Sequence, residues 1–114
     1  MVNQEVMAAL LDFRTKRNWE KFHKPKELAA AITVESSELL ELFQWKSHEE
    51  VASLLDSPRR ERVADEIADI AILLSYLCHD TGIDVNAAVL SKLKKNEAKY
   101  PVDKAYGNAK KYND

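Results

Sequence analysis

Two short carboxylate pairs lie inside apolar, helix-like stretches and constrain the fold of this chain more than any other feature. Glu35-x-x-Glu38 and Glu66-x-x-Asp69 are spaced so that both carboxylates of each pair lie on one face of a helix. Such a stripe of apolar residues normally faces a core, where an unpaired carboxylate is costly. Either the two helices do not face each other, or a strongly positive group lies between them. The apolar residues around the pairs are Leu28, Ile32, Leu39 and Leu42, then Val63, Ile70, Leu73 and Leu77.

Length, charge and cysteine content indicate an ordinary globular domain. The 114 residues suffice for one domain, and the net charge of -2 argues against a dedicated nucleic-acid binder. The single Cys78 cannot form an internal disulfide. The longest apolar stretch, residues 67–77, is interrupted by Asp69 and is too short to cross a bilayer. We expect a cytoplasmic protein with neither nucleic acid nor membrane as a partner.

The pattern predicts an all-α fold, because glycine is scarce and β-branched residues do not alternate with polar ones. A capping box at Ser47 predicts a short helix, and Ser57-Pro58 and Asp84 predict the starts of two longer ones. Gly82 is expected as a left-handed C-terminal residue. The predicted helices cover about residues 3–17, 26–45, 48–55, 58–80 and 85–99. Residues 1–101 would form the domain, and residues 102–114 an extended or frayed tail.

The helix predicted over residues 58–80 is apolar on nearly every side in its C-terminal half. Such a helix must be covered on every side. The other helices of so small a chain would leave one face exposed unless a second subunit covers it. The pattern therefore predicts a homo-oligomer.

The four carboxylates favour a metal site over solvated helix faces, because both pairs lie within apolar stripes. Carboxylates without histidine are hard oxygen ligands that suit Mg²⁺ or Mn²⁺. Di-iron bundles instead carry Glu-x-x-His motifs. Because Mg²⁺ held by carboxylates usually shares its remaining positions with water and substrate phosphates, the motif points to phosphate chemistry.

Two further groups are candidates for binding a nucleotide. Lys92, Asn96 and Tyr100 share one helical face, which is either a solvated basic surface or a clamp on phosphates. An aromatic connector precedes the second helix, and an aromatic residue ends that helix; these side chains either stack on a base or pack in the core. For Phe22 we expect ordinary core and hinge packing, and His23 could be an ordinary connector residue. The aromatic candidates are Trp19, Phe22, His23 and Trp45.

With these residues in view, the chain resembles the MazG-like all-α nucleoside triphosphate pyrophosphohydrolases, nearest the branch that contains the dCTP pyrophosphatases. The resemblance covers about residues 13–101. It is carried by Arg17-Asn18-Trp19, Phe22-His23-x-Pro25, Glu35-x-x-Glu38-Leu39-x-Glu41-Leu42-Phe43-Gln44-Trp45, Glu66-x-x-Asp69 and Ser91-Lys92-x4-Asn96-x3-Tyr100-Pro101.

The resemblance implies a four-helix MazG-like bundle, assembled as a dimer or dimer of dimers with sites built across subunits. It implies that a nucleoside triphosphate is cleaved to the monophosphate and pyrophosphate. Where the eukaryotic enzymes carry a histidine near the base, this chain has Leu10. The implied Mg²⁺ ligands are Glu35, Glu38, Glu66 and Asp69, and the implied nucleotide contacts are Trp19, Trp45, Lys92, Asn96 and Tyr100.

The implied reaction begins when metal ions polarise the α-phosphate and a motif carboxylate orients or deprotonates water. Lys92 would offset charge on the pyrophosphate leaving group. The alternative is a non-catalytic helical oligomer whose acidic cluster holds a structural cation or docks a basic partner.

Overall fold

The computed structural model describes residues 1–111 and divides the chain into two compact units, Met1–Gly82 and Ile83–Asp114. Residues 1–111 contain no β-strand, which confirms the all-α prediction. The first unit also contains a 3₁₀ turn at Glu20–Phe22. The helices are α1 (Gln4–Lys16), α2 (Pro25–Glu41), α3 (His48–Leu55), α4 (Arg60–Thr81), α5 (Val85–Lys99) and α6 (Val102–Ala105).

Side-chain caps fix the starts of three helices. At α3 the Ser47 hydroxyl accepts from the Glu50 amide at 3.1 Å, and the Glu50 carboxylate accepts from the Ser47 amide at 3.0 Å. The predicted capping box is therefore confirmed. Asp84 accepts from two amides of the first turn of α5, as predicted, and Asn3 caps α1.

Gly82 ends α4 with a φ of 69°, in the left-handed region. Glycine adopts this conformation without the steric cost that a β-carbon adds. The predicted C-terminal residue of this helix is confirmed.

Two helix boundaries differ from the prediction. α2 ends at Glu41, not Trp45, because the amides of Leu42 and Phe43 bond three residues back and tighten the chain into a turn over residues 42–46. α4 begins at Arg60, not Pro58. The carbonyls of Ser57 and Pro58 accept from amides three residues on, so this segment is a tight turn before the helix.

α4 is the central element of the first unit and contacts α1, α2 and α3. The α2–α4 pair is antiparallel, because His23 before α2 contacts Tyr76 late in α4, whereas Glu38 late in α2 meets Glu66 early in α4. Few apolar side chains within residues 1–111 are buried. They are Leu28, Leu54, Val63 and Tyr76.

A partly buried ion pair joins α1 to the end of α4. Both terminal nitrogens of Arg14 donate to the Asp80 carboxylate at 2.8 Å, and the guanidinium lies 4.5 Å from the centre of the Tyr76 ring. The Tyr76 hydroxyl in turn donates to the Leu10 carbonyl at 2.6 Å. We call Arg14, Tyr76 and Asp80 the α1–α4 clamp, since together they fix the register of these two helices.

The second unit consists of α5 and α6 within its described part. The short helix α6 lies in the segment predicted to be an extended or frayed tail, so that prediction is wrong for Val102–Ala105. Residues 112–114 of the predicted tail lie outside the described residues. The extent of the predicted domain, residues 1–101, stays a prediction.

Within residues 1–111, no helix combines the length and the hydropathy that a membrane span requires.

Candidate metal centre

Three of the four predicted carboxylates meet between α2 and α4. Glu35, Glu38 and Glu66 each present one oxygen, and these oxygens lie within 4.8 Å of one another. All three side chains are half-buried. The spacing of each motif brings its residues to the facing side of its helix, and the antiparallel pairing of α2 with α4 brings the two motifs together. We call these three residues the acidic cluster.

Asp69 lies outside the 4.8 Å group but acts on it electrostatically. Its side chain is exposed. Its charge nevertheless raises the pKa of both Glu35 and Glu66. The structure therefore places Asp69 beside the acidic cluster rather than within it.

Ionising the carboxylates of the acidic cluster costs free energy, because they are half-buried and lie close together. Burial raises the pKa of Glu35 to about 7, and contact with Glu38 and the charge of Asp69 act in the same direction. Burial likewise raises the pKa of Glu66. Without a cation between them, these carboxylates favour retaining a proton.

Two carboxylate oxygens of the acidic cluster are buried and unpartnered. Oε2 of Glu35 and Oε2 of Glu66 have no hydrogen-bond partner in the structure. A buried polar atom without a partner costs free energy unless something else satisfies it. A divalent cation bound by hard oxygen ligands satisfies such atoms and also offsets the mutual repulsion. The residues present therefore fit a metal ion.

A cavity of 590 Å³ opens beside the acidic cluster and carries both signs of charge. Glu38 and Glu66 lie in its wall, and so do Lys46, Arg59 and Arg62. The sequence prediction missed these three cations. A signal for the two arginines was present in the sequence. The spacings of three and four residues place Arg59, Arg62 and Glu66 on one face of a helix, so the arginines could have been assigned to the side of the carboxylate.

The aromatic candidates contact different neighbours in the described part of the chain. The Trp19 ring packs edge-on against Phe13 with 5.7 Å between centroids. Phe22 is 61% exposed, so its predicted core packing is wrong; its ring lies 5.3 Å from the Lys21 ammonium instead. Trp45 is 88% exposed and makes no ring contact within residues 1–111.

His23 lies apart from the acidic cluster. Its ring packs against Tyr76 with 5.2 Å between centroids, and it lines a separate cavity with Arg14 and Asp80. Burial lowers the pKa of His23, and the charge of Arg14 acts in the same direction. Nδ1 is buried without a hydrogen-bond partner. His23 therefore lies in the region of the α1–α4 clamp.

Lys92, Asn96 and Tyr100 lie along α5 and its C-terminal residue in the second unit. The Tyr100 amide donates to the Asn96 carbonyl at 2.8 Å, which continues the helical pattern to the last of the three. Their predicted shared face is consistent with this helix, since they are spaced four residues apart.

A comparison with known families identifies the chain. The sequence model described as the MazG-like family matches residues 30–114, most of the chain. The chain belongs to the MazG-like family. The matched residues include both carboxylate motifs and the basic face of α5.

Curated relatives of this MazG-like chain are called dCTP pyrophosphatase 1. The Bos taurus protein is 42% identical over 104 residues, which cover 90% of this chain and 62% of the relative. The Homo sapiens protein is 39% identical over 102 residues, which cover 89% of this chain and 60% of the relative. The chain thus spans less than two thirds of the length of these curated relatives.

A solved structure shares the fold of this MazG-like chain. A pyrophosphatase from Archaeoglobus fulgidus superposes with a TM-score of 0.80 at 44% sequence identity. The match covers 86% of this chain and 91% of that protein. The predicted MazG-like helical fold is confirmed.

Proposed function

We propose that this protein is a Mg²⁺-dependent nucleoside triphosphate pyrophosphohydrolase that acts on dCTP or a related pyrimidine deoxynucleotide. The products are the nucleoside monophosphate and pyrophosphate. One observation carries the proposal: in a chain of the MazG-like family, three carboxylates converge within 4.8 Å and two of their oxygens are buried without partners. The names of the curated relatives and of the solved structure support the same activity.

The acidic cluster is proposed to hold the metal, with Asp69 as a fourth carboxylate beside it. Glu35, Glu38 and Glu66 supply hard oxygen donors that suit Mg²⁺, and Mn²⁺ would substitute. When bound, such an ion polarises a phosphoryl oxygen and lowers the pKa of water.

The remaining carboxylate oxygens of these residues are proposed to orient water toward the α-phosphorus and to accept its proton. The water oxygen forms a bond to the α-phosphorus, and the bond between that phosphorus and the bridging oxygen to the β-phosphate breaks. The bridging oxygen leaves with pyrophosphate.

The nucleotide contacts are proposed from the residues that match the family pattern. Lys92, Asn96 and Tyr100 supply donors and positive charge for phosphate and sugar oxygens. Trp19 and Trp45 keep exposed ring faces on which a base can stack. His23, on the connector that follows Trp19, is proposed as a further substrate-binding residue.

The position of Leu10 argues for modest base selectivity. Its apolar side chain cannot donate a hydrogen bond to a base, so stacking carries most of the recognition. We expect pyrimidine deoxynucleotides to be preferred without strict discrimination. Competing dCTP, dUTP, dTTP and dATP in one reaction measures this, and a purine preference would contradict it.

The working assembly is proposed to be a dimer or a dimer of dimers in the cytoplasm. Large apolar side chains of the first unit stay about half exposed on α2 and α4, which is the surface that a second copy would cover. They are Val34, Leu40 and Ile67, each 54% exposed.

Product analysis in ¹⁸O-labelled water tests the reaction. We expect Mg²⁺-dependent conversion of dCTP to dCMP and pyrophosphate, with the label in dCMP because water attacks the α-phosphorus. Label in pyrophosphate would place the attack on the β-phosphorus, and dCDP with inorganic phosphate would place it on the γ-phosphorus. Either result would contradict the proposal, as would the absence of turnover with all four nucleotides.

A matched pair of variants on α4 controls this experiment. Glu66→Gln removes one charge from the acidic cluster and is expected to abolish turnover. Asp65→Asn removes one charge from the adjacent, exposed position and is expected to leave turnover near the wild-type value.

A further inference from the structure

The cavity beside the acidic cluster has cations in its wall that have no role in the reaction described above. Lys46 from the turn after α2 and Arg59 and Arg62 from the start of α4 line it together with Glu38 and Glu66. We call the three cations the cationic rim. The volume of the cavity, 590 Å³, falls within the range of roughly 300–1,000 Å³ that is typical of small-molecule sites.

The cations of this rim form no ion pairs with the acids of the cavity wall. Glu38, Glu41 and Glu66 share the cavity wall. Even so, no carboxylate of residues 1–111 comes within 4.0 Å of a charged nitrogen of the cationic rim. All three cationic side chains are exposed and therefore free to turn toward a ligand. Like charges on one wall repel each other, so an anion in the cavity would be bound favourably.

The arrangement of charges matches a metal-bound polyphosphate. Such a ligand carries negative charge along its length, and a cation held by the acidic cluster would offset only part of it. The remainder needs positive groups at a short distance from the metal. Two guanidinium groups supply flat, forked donors that suit phosphate oxygens, and Lys46 adds a compact charge.

We propose that Lys46, Arg59 and Arg62 form the subsite for the terminal phosphates and hold the departing pyrophosphate. This inference rests on the proposed function, because it assumes a polyphosphate whose first phosphate lies at the acidic cluster. All three residues of the subsite belong to the first unit. The subsite makes the enzyme selective for triphosphates, since a monophosphate cannot reach both the acidic cluster and the cationic rim.

Calorimetric titration with pyrophosphate in Mg²⁺ tests the subsite without turnover. The variant Arg59→Ala/Arg62→Ala is expected to bind pyrophosphate on the order of tenfold more weakly than the wild type, because it loses two partly exposed charge contacts. Its KM for dCTP should rise in parallel, while inhibition by dCMP stays unchanged. Arg59→Lys/Arg62→Lys keeps the charge and is expected to recover part of the affinity.

Arg60→Ala is the matched control. Arg60 lies between the two arginines in sequence, but its guanidinium donates to the Leu55 carbonyl at 3.4 Å and does not line the cavity. We expect its pyrophosphate affinity to stay within about twofold of the wild type, because isolated exposed charges contribute little. Circular dichroism and melting curves confirm that each variant folds.

The outcomes separate this inference from the proposed function. If dCTP is hydrolysed but pyrophosphate affinity is the same in the wild type and the double alanine variant, the subsite is wrong and the reaction stands. If no nucleotide is hydrolysed but pyrophosphate binds and depends on the arginines, the reaction is wrong and the subsite stands. Failure of the wild type to bind pyrophosphate would overturn the subsite.

Discussion

Glu35 is a carboxylate whose burial disfavours its charged form. Its carboxylate is half-buried, one oxygen has no partner, and its pKa is raised to about 7. In the unfolded chain the same group would titrate near its ordinary value of about 4.5. The folded metal-free protein therefore binds a proton that the unfolded chain releases between these two values.

The metal-free protein is consequently expected to lose stability as pH rises. A raised pKa for an acid contributes stability that is present below the unfolded value and lost as pH rises through the folded value. Melting temperatures in EDTA should therefore fall between about pH 5 and pH 8. Glu35→Gln should flatten this slope, and Asp65→Asn should not. An unchanged slope in Glu35→Gln would contradict the assigned cause.

The sequence predicted the acidic residues but not the cations opposite them, for a physical reason. Glu35, Glu38 and Glu66 were found because helical spacing and apolar stripes are visible locally. Lys46 lies in a turn, and only the packing of α2 on α4 brings it to the same cavity as Arg62. The place of Lys46 in this cavity depends on tertiary packing and leaves no periodic signal in the chain, whereas Arg59, Arg62 and Glu66 share a helical spacing.

The clamp between α1 and α4 is the main polar contact at the scale of elements. Arg14 is 4% exposed, and the hydrogen bond to Asp80 raises the pKa of Arg14 and lowers the pKa of Asp80. A guanidinium left without its carboxylate in this position would keep a buried, unpaired charge. The clamp thus holds α1 and, through it, the start of the aromatic connector, since the Trp19 amide donates to the Arg14 carbonyl at 3.1 Å.

Removing one partner of the clamp is expected to destabilise the fold. Asp80→Asn should lower the free energy of unfolding by about 2 kcal/mol, less than for a fully buried pair because Asp80 keeps some solvent exposure. Asp12→Asn breaks the exposed Asp12–Lys16 pair and should cost less than about 0.5 kcal/mol. Urea unfolding of both variants measures the difference. Equal losses would contradict a structural role for the clamp.

The helix starts that have side-chain caps could be predicted from the sequence. The end of α2 and the start of α4 could not. Ser47 and Asp84 signal their helices through hydrogen bonds between residues two or three apart, so the sequence alone contains the information. The end of α2 and the start of α4 depend on turns whose bonds run three residues back. Continuing the helix and closing these turns both satisfy the local preferences of the sequence, so the boundary is not visible in it.

Exposed apolar surface is the feature that matters at the scale of the whole molecule. The first unit has few buried apolar side chains, although α4 is apolar on nearly every side in its C-terminal half. Leu40 on α2 and Ile67 on α4 each keep 54% of their surface exposed. A second subunit that covers such side chains would stabilise the assembly by roughly 25 cal/mol per Å² of apolar area removed from water.

Association is therefore expected to be coupled to stability. Sedimentation equilibrium should give a mass that is a multiple of the 13.0 kDa chain, and the melting temperature should rise with protein concentration. Leu40→Lys should weaken association, while Ser53→Lys, at an exposed polar position on α3, adds the same charge outside the proposed interface and serves as its control. A stable monomer at micromolar concentration would contradict the proposal.

The central claim is that the acidic cluster holds the metal that hydrolysis requires. Its most direct test is Mg²⁺-dependent release of pyrophosphate from dCTP by wild-type protein, Glu38→Gln and the control Glu27→Gln, an exposed position on the same helix. We predict that Glu38→Gln loses activity on the order of a hundredfold or more, since it removes a metal ligand. Glu27→Gln should keep near wild-type activity. Near wild-type turnover by Glu38→Gln would contradict the account.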